Sequence, residues 1–147
     1  MKVVNAKVGI SISKNYGEWL GQYDWSYFCT FTTRYALTLP SARRLMYRFY
    51  DMDDLKRSGP ATFFWAAEPF DCREGYHTHA LLKVSAVMTF KFLTDCYQVA
   101  AGNKDLLKTE WHRVNFRSYN SKLGAAHYCG KYITKNLADY DFWQRSY

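Results

Sequence analysis

Hydrophobic positions alternate along some stretches of the chain and recur at helical spacing along others, and the two periods separate strands from helices. Val8, Ile10 and Ile12 alternate with Lys7, Gly9, Ser11 and Ser13, which predicts a short strand, and Asn15-Tyr16-Gly17 reads as a turn. Residues 25–34 are rich in β-branched and aromatic side chains and predict a central strand. Its alternation puts Phe28, Thr30, Thr32 and Arg34 on one face and Trp25, Tyr27, Cys29 and Phe31 on the other. Residues 62–68 and 75–84 predict two more strands. The short loop from Pro69 to Tyr76 makes them an antiparallel hairpin with Glu68 close to His77. His112 to Tyr119 reads as a strand with Val114 and Phe116 on one face and Arg113, Asn115 and Arg117 on the other.

Helices fill the intervals. Pro40 suits a first helical turn, and Leu45, Phe49, Met52 and Leu55 follow at helical spacing until Ser58-Gly59-Pro60 ends the pattern. On that helix Arg43, Arg44 and Arg48 are expected to face solvent. Thr89 predicts the cap of a helix over 90–101, with Phe90, Leu93, Tyr97 and Ala100 inward and Gly102 at its end. Ser121 opens a last helix over 122–137. With no repeat, linker or low-complexity segment, residues 1–147 read as one α+β domain, and 1–24 as an N-terminal extension without an assigned role.

Composition narrows the class. The 147 residues are 48% hydrophobic and 22% charged, enough for a globular core. Cys29, Cys72, Cys96 and Cys129 are dispersed, which argues against a disulfide framework or a zinc finger and suits a reducing intracellular compartment. No apolar run has the length of a membrane span and the N-terminus lacks a signal-peptide pattern, so no membrane partner is expected. A net charge of +7 points to a polyanionic partner. The 13 Tyr, 10 Phe and 5 Trp offer rings on which bases stack, which favours single-stranded nucleic acid.

His77 and His79 stand two apart in a strand, so their side chains share a face with Cα atoms about 7 Å apart. Neutral imidazoles ligate divalent metals, and Glu68 on the neighbouring strand is the best-placed carboxylate, with Asp71 and Glu74 as reserves. Thr30 and Thr32 stand where hydroxyls beside a metal can touch phosphate oxygens. Turning the last helix by about 100° per residue puts Ser121, Gly124, Tyr128, Lys131, Tyr132 and Lys135 on one side. Leu123, Ala126, Gly130, Ile133 and Leu137 form the other, packing side. Each tyrosine is followed three residues later by a lysine, whose ammonium can stabilise a phenolate that attacks a phosphodiester polarised by a metal. The same spacing also suits two amphipathic surface tyrosines. His112 and His127 read as structural or substrate-side residues.

Taken in order, these segments resemble the HUH endonucleases, and among them the rolling-circle replication initiators with two tyrosines. The resemblance covers roughly residues 25–137: Phe28 to Thr32 for the first motif, Glu68 with His77-Thr78-His79 for the second, Tyr128 to Lys135 for the third. It departs at Thr78, where the family usually carries a bulky apolar residue; Thr78 is expected to point away from the metal. The resemblance implies a ferredoxin-like fold with a central antiparallel sheet, and a Mg²⁺ or Mn²⁺ ion held by Glu68, His77 and His79. It implies site-specific nicking and joining of single-stranded or hairpin origin DNA through a 5′-phosphotyrosine, initiating and terminating rolling-circle replication of a virus or plasmid in the host cytoplasm. Tyr128 would be the first nucleophile and Tyr132 the second, assisted by Lys131 and Lys135. Thr30, Thr32, Arg34, Arg113 and Arg117 would contact the DNA. No GxxxxGK[ST] motif is present, so unwinding is expected from a separate helicase or a further segment, alongside host replication proteins. The chain is expected to act as a monomer or homodimer. The alternatives are a single-tyrosine HUH-type transposase and a non-catalytic single-stranded nucleic-acid-binding protein.

Overall fold

The computed structural model describes residues 18–103, 112–123 and 139–146. The strand expected at Val8–Ile12 and nearly all of the helix expected over 122–137, with Tyr128, Lys131, Tyr132, Lys135 and His127, lie outside the described residues.

In chain order the elements are β1 (Tyr27–Thr32), α1 (Leu39–Tyr50), α2 (Asp53–Ser58), β2 (Ala61–Pro69), β3 (Tyr76–Val84), α3 (Phe90–Ala100), β4 (Arg113–Ser118) and β5 (Tyr140–Arg145). The strands form one sheet in the order β4-β1-β3-β2-β5, with every neighbouring pair antiparallel. The fold is α+β, as the alternation of periods predicts.

Thr38 caps α1 through a box with Ser41, and Pro40 occupies the first turn, where its missing N–H leaves nothing unsatisfied. The single helix expected after Pro40 is two. Asp51 ends α1 and Met52, with extended backbone (φ −61, ψ 136), precedes α2, so helical spacing continues across a break that only the backbone reveals. The Thr89 hydroxyl accepts from the Phe92 N–H, and Gly102 adopts φ +100 past the end of α3, both as expected. Leu93 and Tyr97 are buried, while Phe90 is 45% exposed rather than inward and lies over Tyr27 with ring centroids 4.9 Å apart.

Alternation in the strands gives each sheet face its own layer. On the helix side, Cys29, Phe31, Phe63, Trp65 and Leu82 pack against Leu45, Phe49 and Tyr97. On the opposite face, Phe64 and Leu81 pack under Leu20 and Trp25. Trp25 was expected to share a face with Cys29 and Phe31. β1 begins only at Tyr27, so the alternation does not reach back to Trp25, whose indole N–H donates to the Leu20 carbonyl at 2.7 Å. Arg43 also departs from expectation. Its guanidinium grips Asp139 (Nε and Nη2, both 2.8 Å) and Asp141 (Nη1, 2.6 Å) and lies over the Trp65 ring, tying α1 to β5. Arg44 and Arg48 are exposed. Thr78 is 2% exposed and its hydroxyl points into the helix-side core toward Met46 Sδ, away from the His77 face. Among the described residues Cys29, Cys72 and Cys96 are free thiols, and no helix is long and apolar enough to cross a membrane.

Candidate metal centre

The β2–β3 hairpin sets Glu68 opposite His77 and Ala66 opposite His79, and β1 sets Thr30 opposite His79 from the other side. Cross-strand partners point to the same face, so Thr30, His79, His77 and Glu68 gather on the sheet surface away from α1 and α3. Glu68 Oε2 lies 3.1 Å from His77 Nε2 and 3.1 Å from His79 Nε2. One ligand atom from each of the three residues falls within 4.8 Å of the others. Two donors about 2.1 Å from one ion and roughly 90–110° apart lie about 3.0–3.4 Å from each other, so the nitrogen–oxygen spacings are those of a shared cation. Two imidazoles and one carboxylate suit a divalent ion that keeps further positions open.

The surroundings favour the neutral form of His77. The three side chains are only 16%, 9% and 15% exposed for His77, His79 and Glu68. Burial lowers the His77 pKa below the ordinary imidazole value against the opposing pull of Glu68, which keeps this ring neutral at neutral pH. Phe70 packs 4.6 Å from the His77 ring, and Phe28 lies parallel to His79 at 5.9 Å. Thr30 Oγ1 lies 3.1 Å from His79 Nδ1. Phe28 and Thr30 are not readable as such from the sequence, because their places depend on β1 lying beside β3.

The site thus brings together Glu68, His77 and His79 as read from the sequence. Asp71 and Glu74 are exposed in the loop and are not needed to complete the cluster. Thr32 pairs with Arg113 and Phe28 with Arg117, which puts exposed Arg113 and Arg117 on the face that carries the triad. Arg34 lies past the end of β1, and its N–H donates to His112 Nδ1. His112 is 2% exposed and structural: Gln98 accepts from its N–H and donates to its carbonyl, and burial holds its imidazole below the usual pKa. The Asp139 carbonyl accepts from the Ala67 N–H, so the chain re-enters the sheet one residue from Glu68. No protein family, curated protein or solved structure matches the chain.

Proposed function

We propose that this protein is a metal-dependent endonuclease and strand transferase of HUH type that nicks and rejoins single-stranded DNA, as a rolling-circle replication initiator does. The observation that carries this reading is the clustering of Glu68, His77 and His79, one ligand atom from each lying within 4.8 Å of the others. Two features support it. The sheet order β4-β1-β3-β2, with α1 after β1 and α3 after β3, suits the ferredoxin-like arrangement of that class, with β5 added at the β2 edge. Exposed Arg113 and Arg117 stand on the triad's face of the sheet, with β1 between them and β3, in a chain carrying +7.

Glu68, His77 and His79 would hold Mg²⁺ or Mn²⁺, which when bound polarises the scissile phosphate and offsets its charge. Arg113 and Arg117 would hold the phosphodiester backbone across the sheet. The Tyr128 hydroxyl would give up its proton and attack phosphorus. A bond forms between Tyr128 Oη and phosphorus, the bond from phosphorus to the 3′ oxygen breaks, and the 3′ oxygen leaves as a hydroxyl. Lys131 would stabilise the Tyr128 phenolate, with Tyr132 and Lys135 serving a second cleavage. The free thiols of Cys29, Cys72 and Cys96 suit a reducing compartment such as the cytoplasm.

The test incubates labelled single-stranded and hairpin oligonucleotides with Mn²⁺ and the wild type, Tyr128→Phe, Tyr132→Phe or an EDTA control, and resolves the products on denaturing gels. A covalent adduct that needs metal and disappears with Tyr128→Phe supports the reading. Loss only with Tyr132→Phe moves the nucleophile to Tyr132. Retarded DNA with no adduct in any lane, indifferent to EDTA, replaces the enzyme with a binding module.

A further inference from the structure

We infer that Thr30 is a positioning residue that presets His79 as a metal ligand, rather than a contact for DNA. The inference rests on reading the triad as a metal centre, and it needs no assumption about DNA chemistry.

A neutral imidazole has one N–H and one lone pair, and only the nitrogen with the lone pair can ligate. Both His77 and His79 aim Nε2 at the same carboxylate oxygen, 3.1 Å away. The two rings share that one oxygen, and an Nε2–H donated to it would occupy the ligating nitrogen with a proton. Thr30 supplies the competitor. Its hydroxyl stands 3.1 Å from His79 Nδ1, and as the acceptor of an Nδ1–H hydrogen bond it frees Nε2 toward the cation position. The β1–β3 register holds Thr30 directly opposite His79, and Phe28 lies parallel to the His79 ring with planes 5° apart.

His77 has no such competitor. Its Nδ1 is buried without a hydrogen-bond partner, so in the metal-free protein its proton belongs on Nε2, shared with Glu68. The two ligands are therefore unequal. His79 is in the ligating tautomer before metal arrives, and His77 must move its proton from Nε2 to Nδ1 when metal binds. A carboxylate, carbonyl or hydroxyl on the far nitrogen of a ligating histidine fixes the tautomer in this way, and its removal weakens metal binding by about 10–100-fold.

The experiment compares wild type, Thr30→Ser and Thr30→Val, all without DNA. Mn²⁺ affinity is measured by electron paramagnetic resonance of the free ion, and the histidine tautomers of the metal-free proteins by ¹⁵N NMR. Valine matches threonine in shape and suits a strand interior, so Thr30→Val keeps the packing and removes the hydroxyl. The expected result is about 10–100-fold weaker Mn²⁺ binding by Thr30→Val, with binding by Thr30→Ser close to wild type. His79 is expected with its proton on Nδ1 in wild type and Thr30→Ser and on Nε2 in Thr30→Val, while His77 carries it on Nε2 throughout. Equal Mn²⁺ binding by all three proteins overturns the inference while leaving the metal centre standing. Wild type that binds no Mn²⁺ removes both. If Thr30→Val does not fold, a wild-type His79 protonated on Nε2 is sufficient to overturn it.

Discussion

Among the described residues Glu68 is the acid that both histidines of the site face, and its removal tests the metal centre more sharply than any change in the surrounding loop. Glu68→Gln, His77→Ala and His79→Ala are each expected to weaken Mn²⁺ binding beyond the about 100-fold limit of an outer-partner substitution. Asp71→Asn and Glu74→Gln are expected to leave it near wild type; a Mn²⁺ titration of the five variants decides. The buried histidines also set a pH dependence. Burial lowers the pKa of both His77 and His112, so between their folded values and about 6.5 the unfolded chain binds more protons than the native one. Their contribution to stability is therefore complete above about pH 6.5 and is lost as pH falls below it. Urea midpoints of the metal-free protein measured from pH 7.5 down to 5.5 should fall, and a flat profile would remove this account.

At the scale of elements, the β2–β3 loop sets the register that the metal centre needs. Gly75 closes it with φ +104, its carbonyl accepting from the Phe70 N–H at 3.0 Å. A Cβ there would stand 3.0 Å from Ala36 Cα and 3.1 Å from Leu37 N, backbone atoms that cannot swing aside. Gly75→Ala is expected to cost about 1–3 kcal/mol in urea unfolding and to weaken Mn²⁺ binding, because it disturbs the turn that holds Glu68 opposite His77. The Arg43 clamp joins α1 to β5 through Asp139 and Asp141, with the Arg43 side chain 40% and the two acids 29% and 38% exposed. Solvent screening at that exposure limits the expected loss in Arg43→Ala to about 1–2 kcal/mol, above a lone surface pair because two carboxylates and the Trp65 ring share one guanidinium. Hydrogen exchange should quicken at the Ala67 amide, which bonds the Asp139 carbonyl.

The whole molecule presents two unlike faces: one sealed by α1 and α3, the other covered by Leu20 and Trp25 over Phe64 and Leu81, with the triad toward the Glu68 end of β2. On that second face Arg113 and Arg117 of β4 and the cation position are separated only by β1 and its threonines. A strand laid across the sheet would release counterions at both arginines. Arg113→Ala and Arg117→Ala should each flatten the slope of log affinity against log salt for single-stranded DNA by about 0.7. Unchanged slopes would move the nucleic-acid path off β4.

Two periodicities account for what the sequence determines alone. A strand turns its side chains through half a circle per residue, so alternation was sufficient to place His77 and His79 together and to oppose Val114 and Phe116 to Arg113 and Arg117. A short connection forces neighbours to pair, so Glu68 beside His77 was equally legible. Caps at Thr38 and Thr89 are local as well, and of the two the Thr89 cap is the one predicted from the sequence. Everything decided across the sheet needed the tertiary structure. Thr30 meets His79 because β3 inserts between β1 and β2, and β5 lies along the β2 edge, where Arg43 reaches Asp139 and Asp141. The sides of Trp25 and Phe90 follow from where strand or helix geometry begins, which packing settles and periodicity does not mark. Residues close in the chain constrain one another through backbone geometry; residues brought together by a crossover do so only once the core has chosen its strand order.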